Sequence, residues 1–273
     1  MTMKSSALTV LVVMYVWLLS SGSFSYGAKS DIDCLRAMKD SLEDPFNYLN
    51  TWDFNNSTEG FICRFTGIDC WQTDENRVLT IRLSDMGLKG EFPRGIANCT
   101  ALTGLDMSSN KLYGHIPSKI SQILEFVTSL DLSSNNFSGH ISLELANCSS
   151  LNVLKLDNNQ LTGHIPSQIG LLARIKTFSV ANNHLTGPVP KFSNATISAD
   201  SYAGNAGLCG GPLPPCKGQS KQRFIGIVAG AAVGGATVST LVVECPKEEE
   251  DDDPDRNTGD SDHLEELIVV LVE

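Results

Sequence analysis

The 273-residue sequence predicts a right-handed α/β solenoid. Five segments repeat one pattern at start-to-start spacings of 24, 25, 24 and 24 residues; they begin at Val78, Leu102, Val127, Leu151 and Ile175. In each segment apolar residues occupy positions 1, 4, 6 and 11, and glycine occupies position 13. Cysteine-containing segments flank the repeats, as expected of caps that cover the ends of a solenoid core.

The expected geometry of each repeat explains which residue types occupy its recurring positions. Positions 4 and 6 point inward from a short strand, while their neighbours face outward. Position 9 is asparagine in four repeats and Met86 in the first, and its side-chain amide can bond backbone groups that would otherwise be unpaired in the bend. We expect a structural ladder of Asn110, Asn135, Asn159 and Asn183. This is the leucine-rich repeat pattern, whose units stack because none buries its apolar edge alone.

Residues 28–77 form the predicted N-terminal cap, 78–200 the repeats and 201–223 the C-terminal cap with a juxtamembrane segment. Ser30 is expected to cap a helix that ends before Pro45, because Asp33 follows it by three residues and apolar residues then recur at helical spacing.

Eight cysteines are present. Short-loop disulfides are predicted between Cys63 and Cys70 and between Cys209 and Cys216. Cys99 and Cys148 share one repeat position two rungs apart, about 10 Å, which exceeds the ~7 Å Cα separation that a disulfide allows. They are therefore expected to be buried thiols, and so is Cys34.

Features of both termini predict a cell-surface location. Residues 1–27 have the basic, apolar and small-residue order of a secretory signal peptide. The uncharged run Phe224–Val243 is long enough for a single transmembrane helix, followed by an acidic, disordered tail at 244–273. Six sequons fit an extracellular glycoprotein: Asn55, Asn56, Asn98, Asn136, Asn147 and Asn194. The predicted location is the plasma membrane with extracellular repeats, or alternatively the apoplast.

Composition argues against several functions. A net charge of −11 disfavours nucleic-acid binding. No Cys-x-x-Cys and no zinc-finger spacing of Cys and His occurs, so neither a metal nor another cofactor is expected, and no small-molecule substrate is inferred.

The concave sheet of such a solenoid is the default surface for recognising proteins. Position 5 of the repeats lines its centre with Arg82, Asp106, Asp131, Lys155 and Ser179. Arg82 and Lys155 depart from the usual filler of this position and are the stronger candidates. Asp106 and Asp131 on adjacent rungs could form a catalytic carboxylate pair, but an open sheet excludes no water, so the prediction is a non-enzyme.

Three histidines directly follow the position-13 glycine: His115, His140 and His164. One repeat apart, they should stack along one edge; we call them the histidine row. They are either exposed polar filler or a pH-sensitive edge, because protonated neighbours repel each other. A straight row cannot surround a metal ion tetrahedrally.

The repeated "LxGxIP", the cap motif "CRFTGIDCW" and the segment "GNAGLCGGPLPPC" resemble the extracellular part of plant leucine-rich repeat receptor-like kinases. With five repeats and the opening "DIDCLRAMKDSLEDPFNYLNTW", the chain is similar to the small inactive receptor-like kinases that interact with somatic-embryogenesis-type co-receptor kinases.

This resemblance implies a binding ectodomain, one membrane span and a co-receptor ectodomain as the partner. The relatives restrain immune and hormone signalling, and they continue into a kinase-like domain. The motifs of such a domain are missing from this sequence, so a membrane-held decoy is the expected role. The alternative is a soluble apoplastic recognition or inhibitor protein.

Overall fold

A computed structural model describes residues 29–56, 58–193 and 195–216. The repeats stack as predicted, and position 3 to position 5 of each forms a strand of a six-stranded sheet, here called the first sheet. Its strands, in spatial order, are β1 (Ile68–Cys70), β2 (Val78–Arg82), β4 (Gly104–Asp106), β6 (Ser129–Asp131), β8 (Val153–Lys155) and β10 (Thr177–Ser179). All neighbours pair in parallel except β1 and β2, which are antiparallel.

A second six-stranded sheet was not predicted. Its strands, in chain order, are β3 (Lys89–Gly90), β5 (Lys111–His115), β7 (Asn136–His140), β9 (Gln160–His164), β11 (His184–Pro188) and β12 (Gly207–Cys209). Apart from β12 of the C-terminal cap, these strands come from the "LxGxIP" part of the repeat, and each of the five-residue strands buries only one side chain, such as Leu112 or Phe137. A single buried residue per strand produces no alternation of apolar and polar residues, so the sequence pattern alone does not identify these strands.

The turns between the sheets contain less α-helix than the α/β prediction implies. Three of the convex connections are short 3-10 helices: Arg94–Asn98, Leu143–Asn147 and Ser167–Leu171. A further 3-10 helix, Ala199–Tyr202 of the C-terminal cap, lies beside the last strand of the first sheet, where the Val180 N–H donates to the Ser201 carbonyl. The 25-residue repeat instead has one α-helical turn, α2 (Ile120–Ile123). Its extra residue lies in the segment that ends at Phe126, whose side chain is 53% exposed.

The N-terminal cap packs onto the first repeat. Helix α1 spans the described residues 29–41 and buries Cys34, Leu35 and Met38 completely. It lies so close to the first convex turn that a Cβ on Gly95 would be 2.5 Å from the Cβ of Ala37. The predicted N-cap role of Ser30 is wrong, because the helix already includes residue 29.

The expectation that Cys34 and Cys99 are thiols is also wrong. They form a disulfide across 65 residues, with their Cα atoms 5.5 Å apart. Rung spacing excludes only a bond between Cys99 and Cys148; Cys34 reaches Cys99 because α1 packs onto the first repeat. The Cys63–Cys70 and Cys209–Cys216 disulfides are present as predicted.

Cys148 is a free, buried thiol within the described residues, as expected. Burial raises the pKa of this thiol to about 11, which keeps it protonated. It therefore acts as a small apolar residue of the core.

The asparagines of the predicted ladder are all buried and bonded in one way. In each, the side-chain oxygen accepts a backbone N–H of the preceding rung; for Asn135 this is the N–H of Leu112, at 3.0 Å. The Nδ2 group donates to carbonyls of both rungs, Met107 and Leu132 in this case. The C-terminal cap extends the ladder with Asn205, which accepts from Leu185 and donates to Val180.

The predicted signal peptide, transmembrane helix, acidic tail and Asn194 lie outside the described residues. In the part of the chain that the structure covers, no helix is long and apolar enough to cross a bilayer.

Candidate partner-binding face

The five position-5 residues lie side by side on the solvent side of the first sheet. The strand register pairs Arg82 with Asp106, Asp106 with Asp131, Asp131 with Lys155, and Lys155 with Ser179. We call the row Arg82, Asp106, Asp131, Lys155 and Ser179, with its flanking residues, the first-sheet face. The sequence thus placed all five candidates correctly on one line, because the solenoid keeps every repeat in register.

Small and short side chains border this row on both sides. Position 3 contributes Thr80, Gly104, Ser129, Val153 and Thr177, and position 7 contributes Ser84, Ser108, Ser133, Asp157 and Ala181. These rows leave the charged centre open to an approaching partner. The face is consequently a shallow polar strip rather than an enclosed pocket.

Arg82 is held by a residue that the sequence analysis did not assign to the face. Asp69 of β1 accepts from the Arg82 guanidinium at 3.0 Å and from the Thr80 hydroxyl at 2.5 Å. A signal for Asp69 existed in the cap motif: Ile68 is buried, and strand alternation turns the next side chain outward. Its position beside Arg82 depended on the antiparallel pairing of β1 with β2, which the sequence did not reveal.

Lys155 is paired as well. Its ammonium contacts Asp131 Oδ2 at 3.1 Å. The hydrogen bond and charge of Asp131 raise the pKa of Lys155 above its ordinary value, and Asp157 and Asp106 act in the same direction. Both candidate cations of the face are therefore already bonded to carboxylates before any partner binds.

The carboxylates outnumber the cations on this face. Asp69, Asp106, Asp131 and Asp157 carry four negative charges, whereas Arg82 and Lys155 carry two positive charges. The exposed part of the face is thus net acidic. Electrostatic complementarity favours a partner that presents basic side chains.

Asp106 and Asp131 are fixed in matching ways. Each Oδ1 accepts a hydrogen bond at 2.6 Å from the serine hydroxyl two residues later, Ser108 or Ser133, and a second from that serine's N–H at 3.0 Å. These bonds fix the orientation of both side chains. The arrangement suits recognition by charge.

The histidine row lies on the second sheet, with all three side chains exposed. Each imidazole covers the position-13 glycine of the following repeat: a Cβ on Gly139 would be 2.4 Å from His115 Cδ2, and one on Gly163 would be 2.2 Å from His140 Cδ2. These glycines also have positive φ, 79° and 76°. The glycine of the repeat is therefore required both by its backbone conformation and by the close packing of the row.

The described sequon asparagines lie off the first-sheet face. Asn98 and Asn147 end convex 3-10 helices, Asn136 begins β7 in the second sheet, and Asn55 and Asn56 belong to the N-terminal cap. All five are exposed. In the same described ranges, no three His, Cys, Asp or Glu side chains gather closely enough to hold a metal ion.

A stack of 24-residue rungs with two parallel sheets, a buried asparagine ladder and disulfide-bonded caps defines a leucine-rich repeat ectodomain. Residues 28–71 match the family model described as leucine rich repeat N-terminal domain, and residues 126–148 and 150–172 match leucine rich repeat. The crystal structure of the BIR2 ectodomain from Arabidopsis thaliana is similar to this chain, with 49% identity and a TM-score of 0.67, covering 68% of this chain and 98% of that one.

The chain belongs to the family of inactive leucine-rich repeat receptor-like kinases of the BIR2 and BIR3 type. It is 45% identical over 228 residues to the inactive receptor-like serine/threonine-protein kinase BIR2 of Arabidopsis thaliana, covering 83% of this chain and 38% of that protein. The crystal structure of the BIR3–SERK2 complex from the same plant has 41% identity and a TM-score of 0.64, covering 68% of this chain and 99% of the other. The chain therefore spans about two-fifths of the length of BIR2.

Proposed function

We propose that this chain is a cell-surface recognition protein that binds the ectodomain of a co-receptor kinase through its first-sheet face. The observation that supports this most directly is the in-register row of charged side chains at the centre of that face. The similarity to BIR3, whose structure was determined in complex with SERK2, indicates the class of partner. The exposed sequons lie elsewhere, so glycans at those positions would leave the face accessible.

The consequence of such binding is competition. A co-receptor ectodomain held by this face is not available to another receptor, so the chain acts as a negative regulator or decoy in immune or hormone signalling. Recognition is non-catalytic: the acidic face attracts basic residues of the partner, and the Asp69–Arg82 and Asp131–Lys155 pairs fix the pattern of charge that the partner meets.

The test measures the affinity of the secreted, glycosylated protein for a panel of co-receptor kinase ectodomains by biolayer interferometry. Asp106→Arg places a cation between Arg82 and Lys155 and removes the charge that the partner would meet. We expect affinity to fall by about 30-fold or more, the usual result of breaking a desolvated charge contact. Lys111→Glu, a charge reversal at an exposed position of the second sheet, serves as the control and should leave the affinity within about twofold.

Two results would be decisive against parts of this proposal. If the unmodified protein binds no ectodomain of the panel, co-receptor recognition is wrong. If it binds, but Lys111→Glu weakens binding while Asp106→Arg does not, the function stands and its assignment to the first-sheet face is wrong.

A further inference from the structure

A groove on the convex side lies between the first and second repeats. It is a small, open groove, with an empty volume of about 360 Å³ when the space at its mouth is included. The side chains that border it include Ala97, Thr100, Gln122, Ile123, Glu125 and Phe126. It is separate from the first-sheet face, which lies on the opposite edge of each rung.

Phe126 gives this groove a surface that other repeats lack. Phe126 immediately precedes position 1 of the third repeat. The residues at the same place before the second, fourth and fifth repeats are Ala101, Ser150 and Arg174. The ring is 53% exposed, and the extra residue of the 25-residue repeat lies in the same segment. The exposed ring beside polar groups offers an apolar surface that an occupant of the groove would cover.

A sequon runs along the rim of the groove. Two residues of Asn98-Cys99-Thr100 line it, and Asn98 is exposed at the end of its 3-10 helix. The disulfide between Cys99 and Cys34 ties the sequon to α1, so a sugar attached to Asn98 would start from a fixed point. Pyranose rings have an apolar C–H face and a rim of hydroxyl and amide groups, which matches Phe126 surrounded by Thr100, Gln122 and Glu125.

We propose that Asn98 carries an N-linked glycan and that its first N-acetylglucosamine rests in this groove against Phe126. The sugar covers the aromatic ring, while the polar side chains at the rim bond its hydroxyl and acetamido groups. The glycan is then a packed part of the ectodomain surface rather than a freely solvated chain.

The protein supplies its own matched control at Asn147. This sequon has the same place in the third repeat, also at the end of a 3-10 helix, and its middle residue is again a cysteine. In the repeat that follows it, the position of Phe126 is taken by Arg174. The Asn147 side chain instead donates to Glu144 at 3.0 Å. A glycan on Asn147 therefore has no aromatic surface of this kind.

The experiment follows release of glycans from the native protein, secreted by plant cells, with a peptide N-glycosidase. Site-resolved mass spectrometry counts the conversion of each asparagine to aspartate over time. We expect Phe126→Ser to accelerate release at Asn98 by about 2- to 10-fold, the factor that one aromatic contact provides. Release at Asn147 should not change, and Tyr113→Ser, which truncates an exposed aromatic side chain on the second sheet, should change neither rate.

A second variant keeps the test independent of folding. Phe126→Tyr retains the ring and should retain slow release at Asn98, and thermal unfolding of each variant verifies that it is folded. An unchanged release rate at Asn98 in folded Phe126→Ser would overturn the proposal, as would an unoccupied Asn98 in the secreted protein. Fast release at Asn98 from the unmodified protein, combined with weaker co-receptor binding by Phe126→Ser, would assign the ring to a protein partner instead.

Discussion

Replacement of Asn159 by alanine tests whether the asparagine ladder stabilises the stack of repeats. The Asn159 side-chain oxygen accepts the N–H of Phe137 at 3.0 Å, and its Nδ2 donates to the carbonyls of Leu132, Leu156 and Asp157 at 3.0–3.2 Å. All of these bonds lie inside the bend that joins the two sheets, where the asparagine is 7% exposed.

The magnitude follows from what the variant leaves unpaired. The carbonyls keep other donors: Leu132 retains Asn135, and Leu156 retains Asn183. The Phe137 N–H loses its acceptor, and a buried donor without a partner costs about 1–3 kcal/mol. With the small cavity, we expect a loss of about 2–4 kcal/mol in the free energy of unfolding. In a domain of this size that lowers Tm by roughly 5–15 °C.

The measurement is thermal and urea unfolding of the disulfide-intact ectodomain, followed by circular dichroism. Gln160→Ala, at the exposed neighbouring position, is the control and should change stability by less than about 0.5 kcal/mol. Asn159→Asp places acceptors against three carbonyls, so it should destabilise more than alanine at neutral pH and recover partly in acid. If Asn159→Ala matches Gln160→Ala, the ladder does not hold the rungs together.

Two further predictions concern titration and cross-linking. Burial raises the pKa of Asp31 to about 6, although the Val78 N–H favours its ionised form. The folded state then binds the extra proton, so stability should fall by about 2 kcal/mol as pH rises from 4 to 7; Asp31→Asn should flatten this urea-unfolding profile, and an unchanged slope would exclude Asp31 as its origin. Replacing Cys34 and Cys99 by serines should lower the free energy of unfolding by about 4 kcal/mol, whereas replacing Cys63 and Cys70, which close a loop of only 7 residues, should lower it by about 2 kcal/mol. The same unfolding assay measures both, and equal losses would show that loop length does not determine the stabilisation.

Much of the first-sheet face was predictable because one period fixes the positions of many residues at once. Once position 5 is known to face solvent in a single repeat, the register puts Arg82, Asp106, Asp131, Lys155 and Ser179 in one row. The carboxylates that pair with Arg82 and Lys155 were harder to predict from the sequence. Lys155 meets Asp131 by simple adjacency, but Asp69 reaches Arg82 only because β1 folds back antiparallel onto β2.

The sequence by itself determined the repeat, its inward and outward positions and the asparagine ladder, since these follow from local periodicity and from the need to pair buried polar groups. Tertiary structure decided what links distant segments. The Cys34–Cys99 disulfide exists because α1 packs across the first repeat, and Asn205 joins the ladder because the cap continues the winding of the repeats. The groove beside Phe126 likewise forms between two convex turns that contain no shared motif. Contacts of this kind depend on packing between elements, and one-dimensional spacing does not specify them.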